Sequence, residues 1–132
     1  MPSRDKKDLD SRLVSAYDKA CIKFKELYPE DAQPFLTCTY RSPEEQNELY
    51  KIGRSLPGRK VTNLQGPNSA HNQNPSKAFD IAFVGLNKKL DWTPALFKKF
   101  SELIDKEIVE CGSDWKKFVD LPHYQLKGWK IQ

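Results

Sequence analysis

The chain has 132 residues, a length that predicts one domain rather than two. Lys and Arg number 22 against 18 Asp and Glu, so the formal net charge is only +4 at pH 7. This charge is scattered, which argues against a nucleic-acid-binding protein. No apolar run approaches the roughly 20 residues that span a bilayer, which argues against membrane insertion. Cys21, Cys38 and Cys111 are too few and too widely spaced for a disulfide framework or a thiolate zinc site, so we expect small buried apolar side chains.

The first half of the chain contains patterns for two helices and one strand. Apolar residues recur at steps of three and four over residues 9–28, which predicts an amphipathic helix that ends before Pro29. Residues 35–40 are aromatic and Thr-rich, which is typical of a buried strand. Ser42, followed by Pro43 and Glu45, has the pattern of a capping box, so a second helix is expected to begin there and to end near Gly53.

The second half begins with residues 54–68, which show no periodicity and therefore predict a long irregular loop of functional or mobile character. Residues 78–84 predict a strand. A third helix is expected from Thr93-Pro94 through residue 111, ended by Gly112, because its apolar residues share one helical face. Residues 123–129 predict a last strand. Helices and strands that do not alternate regularly indicate an α+β fold.

Two histidines and two aspartates are the candidates for chemistry. Each histidine, His71 or His123, is by itself more often a surface or hydrogen-bonded residue than a ligand. On a strand over residues 78–84, Asp80 would lie between two alanines on the face opposite three large apolar side chains, although it could equally be an outward-facing polar residue. Asp120 precedes a Pro-His pair on an extended segment, where it could also simply cap a turn.

Taken together, these residues fit a mononuclear zinc site. His71, Asp80 and His123 would supply two imidazole nitrogens and one carboxylate, with the fourth tetrahedral position open for water. Asp120 would then be the spare carboxylate that acts as general base. Three protein ligands and one open position are typical of a catalytic site rather than of a structural one.

Several short motifs in order carry a family resemblance over nearly the whole chain. They are Thr39-Tyr40-Arg41-Ser42 with Gln46, Ser69-Ala70-His71, Ala78-Phe79-Asp80, Trp115, and Asp120-Leu121-Pro122-His123-Tyr124. The chain thereby resembles the zinc peptidases of the D-alanyl-D-alanine carboxypeptidase (VanY-like) group, and within it the phage and bacterial L-alanyl-D-glutamate endopeptidases that act as endolysins. The resemblance implies an α+β fold in which a small antiparallel sheet, packed with about three helices, carries one zinc ion.

The chain departs from the family pattern at two places. The common form has six residues with a Gly between the first His and the Asp, whereas eight residues separate His71 from Asp80, with Pro75-Ser76 in place of the Gly. We expect the extra residues to form a bulge. At the base position the carboxypeptidases usually have Glu, whereas this chain has Asp120, which favours the endopeptidase branch.

The motifs also contain four candidate supporting residues. Arg41 could stabilise charge on the scissile carbonyl or hold a substrate carboxylate, or it could be an exposed arginine at a strand end. Ser69, Gln46 and Trp115 are expected to bind substrate or to orient the site. Tyr124, like Trp115, is interpreted as a core or pocket-wall residue rather than a catalytic one.

The leading interpretation is a zinc-dependent endopeptidase that cleaves the peptidoglycan stem peptide for host lysis. The alternatives are a D-alanyl-D-alanine carboxypeptidase with the same metal site and a non-enzymatic zinc-stabilised binding module. We expect residues 1–132 to form a single catalytic domain without a wall-binding domain, acting as a monomer on bacterial peptidoglycan. Residues 1–10 lack an apolar segment, so no signal peptide is predicted. The protein is then expected in the host cytoplasm, reaching the wall with help from a separate membrane-permeabilising protein.

Overall fold

The fold is seen in a computed structural model, which describes residues 2–131. Within this range there are three α-helices, α1 (Ser11–Leu27), α2 (Pro43–Lys51) and α3 (Pro94–Leu103). The strands are β1 (Gln33–Cys38), β2 (Ala78–Val84), β3 (Val109–Cys111) and β4 (His123–Leu126). All three strand pairings are antiparallel, in the order β1-β2-β4-β3, which confirms the α+β prediction. The predicted domain limits, Met1 and Gln132, lie outside the described residues.

One face of the sheet packs on α1 and α3 to form the core. Phe79, Ile81 and Phe83 of β2 are fully buried, as their alternation predicted. The ring of Phe83 lies 5.5 Å from Phe24 of α1 and 4.8 Å from Phe97 of α3. Because β2 alternates its side chains, this packing directs Asp80 to the opposite face of the sheet, where the candidate site lies.

The predicted start of α2 is confirmed by its hydrogen bonds. The Ser42 hydroxyl accepts from the Glu45 backbone N–H at 3.1 Å, and the Glu45 carboxylate accepts from the Ser42 N–H at 3.1 Å. The first helix ends at Leu27, two residues before Pro29, as predicted. Residues 54–68 contain no helix or strand apart from an isolated bridge between Leu56 and Ile52, so the loop prediction is also confirmed.

The first strand lies two residues earlier than predicted. It pairs with β2 from Gln33 to Cys38, with an irregularity between Leu36 and Cys38. Thr39 and Tyr40 instead hydrogen-bond to Ser3, at 2.7 and 2.8 Å, and so leave the sheet for the amino-terminal segment. The strand prediction therefore had the right element with shifted ends.

The predicted length of the third helix is wrong. The helix ends at Leu103, Ile104 is extended, and the Asp105 carboxylate caps a turn by accepting from the Glu107 N–H at 2.9 Å. Residues 109–111 form β3 rather than a last helical turn, because pairing with β4 buries Val109 and Cys111 in the same core that a helix would have reached. Gly112 consequently begins a short 3-10 turn.

The last strand is shorter than predicted. It ends at Leu126, because Gly128 adopts a positive φ of 68° and Trp129 begins a 3-10 turn.

None of the helices in the described part of the chain is both long and apolar enough to cross a membrane.

Candidate metal centre

Strand pairing places two of the predicted ligands side by side. Asp80 of β2 and His123 of β4 are direct partners in the antiparallel register, so their side chains project from the same face. His71 lies on a separate 3-10 turn, Ala70–Asn72, whose capping residue is Ser69. The Ser69 hydroxyl accepts from the His71 N–H at 3.2 Å and thereby holds the turn that presents the imidazole.

The donor atoms of these three side chains converge on one carboxylate oxygen. His71 Nε2 lies 3.2 Å from Asp80 Oδ1, and His123 Nδ1 lies 3.1 Å from the same oxygen. Two ligand atoms of a tetrahedral zinc ion with bonds of about 2.0–2.1 Å are separated by about 3.3–3.4 Å. The spacing of the donors from Asp80 is therefore close to what a zinc ion requires.

The other nitrogen of each histidine faces an acceptor. His71 Nδ1 lies 2.8 Å from the Thr39 carbonyl oxygen, and His123 Nε2 lies 2.8 Å from Gln125 Oε1. Because an acceptor requires a donor, these two nitrogens carry the ring protons. In neutral rings, His71 Nε2 and His123 Nδ1 then have no proton, and their lone pairs face Asp80. Lone pairs opposed to a carboxylate repel it unless a proton or a metal ion lies between them. A metal cation beside Asp80 would remove this repulsion as a proton does, and the outward hydrogen bonds are those usual for metal-binding histidines.

The electrostatics of the pocket favour positive charge beside Asp80. Burial lowers the pKa of His71, but the charge of Asp80 and its hydrogen bond outweigh burial and raise that pKa to about 10. For Asp80, burial raises the pKa, while the two histidines lower it by more and hold it well below the usual range of a carboxyl. A cation at this position is thus strongly stabilised.

Cys38 is a member of the cluster that the sequence did not reveal. Among residues 2–131, one group of His, Cys, Asp or Glu side chains has one potential ligand atom from each residue within 4.8 Å of the others; it comprises Cys38, His71 and Asp80 and does not include His123. The Cys38 Sγ lies 3.6 Å from His71 Nδ1, whereas Asp80 faces Nε2 of that ring. Only the pairing of Cys38 with Asp80 across β1 and β2 brings it here, and no local motif signals that pairing. The expectation of a buried cysteine is confirmed for Cys38, which lies beside ligand-type side chains.

Arg41 is built into the site rather than exposed at a strand end. Its side chain is 13% exposed, and its Nη2 lies 3.8 Å from Asp80 Oδ2. Its Nη1 donates to Gln46 Oε1 at 2.9 Å. The buried Gln46 amide also donates to Thr62 Oγ1 and to the Leu64 carbonyl, at 3.0 and 2.8 Å. Gln46 therefore connects Arg41 to the loop of residues 54–68.

The long gap between His71 and Asp80 does not separate them. Buried Ser76 holds the intervening loop in place, since its N–H donates to the Asp8 carbonyl and its hydroxyl donates to the Thr39 carbonyl, each at 2.8 Å. The loop therefore accommodates the extra residues, as the predicted bulge required, and Asp80 still reaches His71.

Asp120 lies next to these residues, on the loop that leads into β4. Its N–H donates to the Gly112 carbonyl at 3.1 Å, and its own carbonyl accepts from the His123 N–H at 3.2 Å. Burial of the carboxyl group raises the pKa of Asp120, and the charge of Asp80 adds to this, against opposing effects of His123, His71 and Arg41. An elevated pKa moves a carboxyl towards the range in which it works well as a general base.

The two remaining aromatic candidates lie on opposite faces of the sheet. The Trp115 ring is 5.4 Å from the His123 ring, so Trp115 borders the candidate metal centre. Tyr124 is fully buried and stacks on Phe79 at 5.1 Å, which places it in the core. Of these two aromatic residues, Trp115 alone lies beside the proposed ligands.

Comparisons with known proteins bear on this arrangement. No family model matches the chain. Peptidoglycan L-alanyl-D-glutamate endopeptidase CwlK of Bacillus subtilis (strain 168) is 34% identical over 103 residues, a match that covers 69% of this chain and 59% of CwlK. The chain is a homologue of an L-alanyl-D-glutamate endopeptidase. The predicted resemblance is thus confirmed, although the chain spans only about three fifths of the length of CwlK.

A solved structure supports the fold. The Serratia marcescens L-Ala D-Glu endopeptidase ChiX matches with a TM-score of 0.70 over 98% of this chain and 91% of its own. Its sequence identity is 18%, so this match concerns the architecture alone. It confirms that the four-stranded sheet and its helices form a fold already seen in a solved structure.

Proposed function

We propose that this protein is a zinc-dependent peptidoglycan endopeptidase that cleaves the L-alanyl-D-glutamate bond of the stem peptide. The observation that carries the proposal is the convergence of His71 Nε2 and His123 Nδ1 on Asp80 Oδ1, in a chain related to CwlK. The fit of donor spacing and proton positions to a metal ion supports zinc at this position.

Each residue of the site has a distinct role in the proposed reaction. His71, Asp80 and His123 would hold the zinc ion, which when bound would supply Lewis acidity to water and to the scissile carbonyl. Asp120, whose carboxyl pKa is raised, accepts a proton from the attacking water and returns one to the leaving amine. Arg41, held by Gln46, directs positive charge at the carbonyl oxygen as negative charge develops there.

The products of peptidoglycan digestion test this proposal. Purified peptidoglycan is incubated with the protein as purified, whose zinc content is measured, and new amino termini and free amino acids are identified. We expect new D-glutamate amino termini and about one equivalent of zinc per chain. Release of free D-alanine would favour the carboxypeptidase alternative, and an active preparation with less than about a tenth of an equivalent of zinc would refute the zinc mechanism.

Substitution of Asp120 separates chemistry from metal binding. Asp120→Asn cannot accept a proton, so we expect turnover to fall by about two to four orders of magnitude while zinc content stays at the wild-type level. His123→Ala should lose zinc and activity together, because it removes a ligand. Asp114→Asn, on the same loop and paired with Lys106 at 3.1 Å, is the matched control and should be active. Full activity of Asp120→Asn would assign the base elsewhere, whereas a wild-type protein that binds zinc and peptidoglycan without cleaving it would favour a binding module.

We further propose an endolysin role in which the monomeric protein acts on the wall after a separate protein has permeabilised the membrane. Induced expression in a bacterial host, with and without a membrane-permeabilising protein, tests this role. Rapid lysis only in the co-expressing culture would support it. Lysis by this protein alone, with the membrane intact beforehand, would contradict it.

A further inference from the structure

A chain of three side chains leads from the metal centre across the sheet to its edge strand. His123 Nε2 lies 2.8 Å from Gln125 Oε1, and Gln125 Nε2 donates to Glu110 Oε2 at 3.0 Å. Gln125 is two residues after His123 on β4 and so projects from the same face, and Glu110 of β3 is its direct partner in the register. The hydrogen bonds therefore follow from the strand pairing.

The chemistry of the three groups allows only one donor-to-acceptor direction for these hydrogen bonds. A carboxylate can only accept hydrogen bonds, so the NH₂ group of Gln125 must face Glu110. The amide oxygen of Gln125 must then face His123, and Nε2 of the ring must be the donor. In the neutral ring, Nδ1 is left without a proton, and its lone pair faces Asp80 Oδ1 at 3.1 Å. Glu110 thus sets the proton position on His123 without touching it.

We propose that Glu110 and Gln125 form a positioning relay that keeps the His123 proton on Nε2 and leaves Nδ1 available to a zinc ion. The identity of the ion rests on the proposed function, whereas the proton position does not. The relay is the side-chain counterpart of the Thr39 carbonyl, which does the same for His71. The proton position on His71 is set by a backbone carbonyl, whereas that on His123 is set by side chains. Substitution can therefore change the acceptor only for His123.

Three variants of the full-length chain test the relay against an ordinary cross-strand pair. Gln125→Met keeps the side-chain length but removes the acceptor for Nε2–H. Glu110→Gln allows the Gln125 amide to adopt either orientation. The exchange of the two residues, Glu110→Gln with Gln125→Glu, restores the direction, because the new carboxylate accepts from both the imidazole and the new amide. Glu107→Gln is the matched control, since it removes an equal charge from an exposed position nearby.

Two measurements are made on each variant. The ¹⁵N spectrum of the His123 ring, recorded before zinc is added and at a pH where the spectrum itself shows the neutral ring, gives the tautomer. Competition with a chelator then gives the zinc affinity. We expect Nε2–H in wild type and control, and a substantial Nδ1–H population in Gln125→Met and Glu110→Gln. Zinc affinity should fall by about 10–100-fold in Gln125→Met and by about tenfold in Glu110→Gln. The exchange should restore the tautomer and bring affinity within about threefold of wild type.

The relay is overturned if any part of this pattern is missing. Unchanged tautomers, an affinity loss without a change of tautomer, or an exchange variant no better than Glu110→Gln would each show that the pair is only structural. The proposed function fails separately. A wild-type chain with the expected tautomer and zinc affinity but no new D-glutamate termini would refute the peptidase and keep the relay. A wild-type chain that produces D-glutamate termini but lacks the expected tautomer would refute the relay and keep the peptidase.

Discussion

Gly112 is expected to control the position of Asp120, because a side chain at residue 112 has no room. A Cβ atom built there would lie 2.3 Å from the Asp120 carbonyl oxygen and 3.1 Å from both Asp120 Cβ and the His123 carbonyl oxygen. Contacts below 3.0 Å are essentially never made by real Cβ atoms, so Gly112→Ala must move the Asp120 backbone by about 0.7 Å, the difference between 3.0 and 2.3 Å. That movement also strains the hydrogen bond from the Asp120 N–H to the Gly112 carbonyl.

The expected effect is a large loss of rate with a moderate loss of stability. Displacement of a catalytic group by close to 1 Å costs on the order of 100-fold in rate, so we expect peptidoglycan cleavage by Gly112→Ala to fall by about 10–100-fold. Overpacking of this kind costs about 1–3 kcal/mol of unfolding free energy. The assays are the rate at which new amino termini appear in purified peptidoglycan and the midpoint of urea unfolding.

The control for Gly112→Ala is Gly85→Ala at the distant end of β2. There the nearest contact of a built Cβ is the movable Asn87 Oδ1 at 3.0 Å, followed by the Lys89 carbonyl at 3.7 Å. Gly85→Ala should keep its cleavage rate within about twofold of wild type. If Gly112→Ala cleaves peptidoglycan as fast as this control does, the close approach of residues 112 and 120 has no bearing on activity and the argument fails.

The remaining predictions concern residues around the site and the start of α1. Cys38→Ala should keep its zinc affinity within about twofold of wild type if the three proposed ligands are correct, and a chelator titration that showed loss of zinc would make Cys38 a ligand. Gln46→Leu removes amide donors to the loop, so amide hydrogen exchange should become faster throughout residues 54–68 and stay unchanged in β2; uniform exchange rates would contradict this. The pKa of Asp10 is held well below its usual range by hydrogen bonding to Arg12, which outweighs burial. The charged carboxylate therefore stabilises the fold above its unfolded pKa of about 3.9, and this contribution is lost as pH falls. Asp10→Asn should lower the unfolding free energy by about 1–2 kcal/mol at pH 7 and by less at pH 3 in urea titrations, and an equal difference at both pH values would refute the linkage.

Local sequence patterns determined much of the fold. The capping box at Ser42 and Glu45 established the start of α2, since both partners lie within one turn. The alternation of β2 identified which residues face the core and left Asp80 on the other face. The third helix was overextended because the apolar spacing of residues 104–111 fits a helix, whereas pairing with β4 makes residues 109–111 a strand. A local period cannot reveal a partner strand elsewhere in the chain.

The sequence by itself also named the candidate ligands His71, Asp80 and His123, because ligand-type side chains in a known order are a local property. Their assembly was decided by tertiary structure alone. Asp80 and His123 are 43 residues apart, and only the register of β2 with β4 makes them neighbours. Strand pairing alone also brings Cys38 next to Asp80, and Gln125 next to Glu110. None of these pairings had a signal in the sequence. Side chains on different strands interact through sheet pairing, and that pairing depends on burial of the whole core rather than on any short segment.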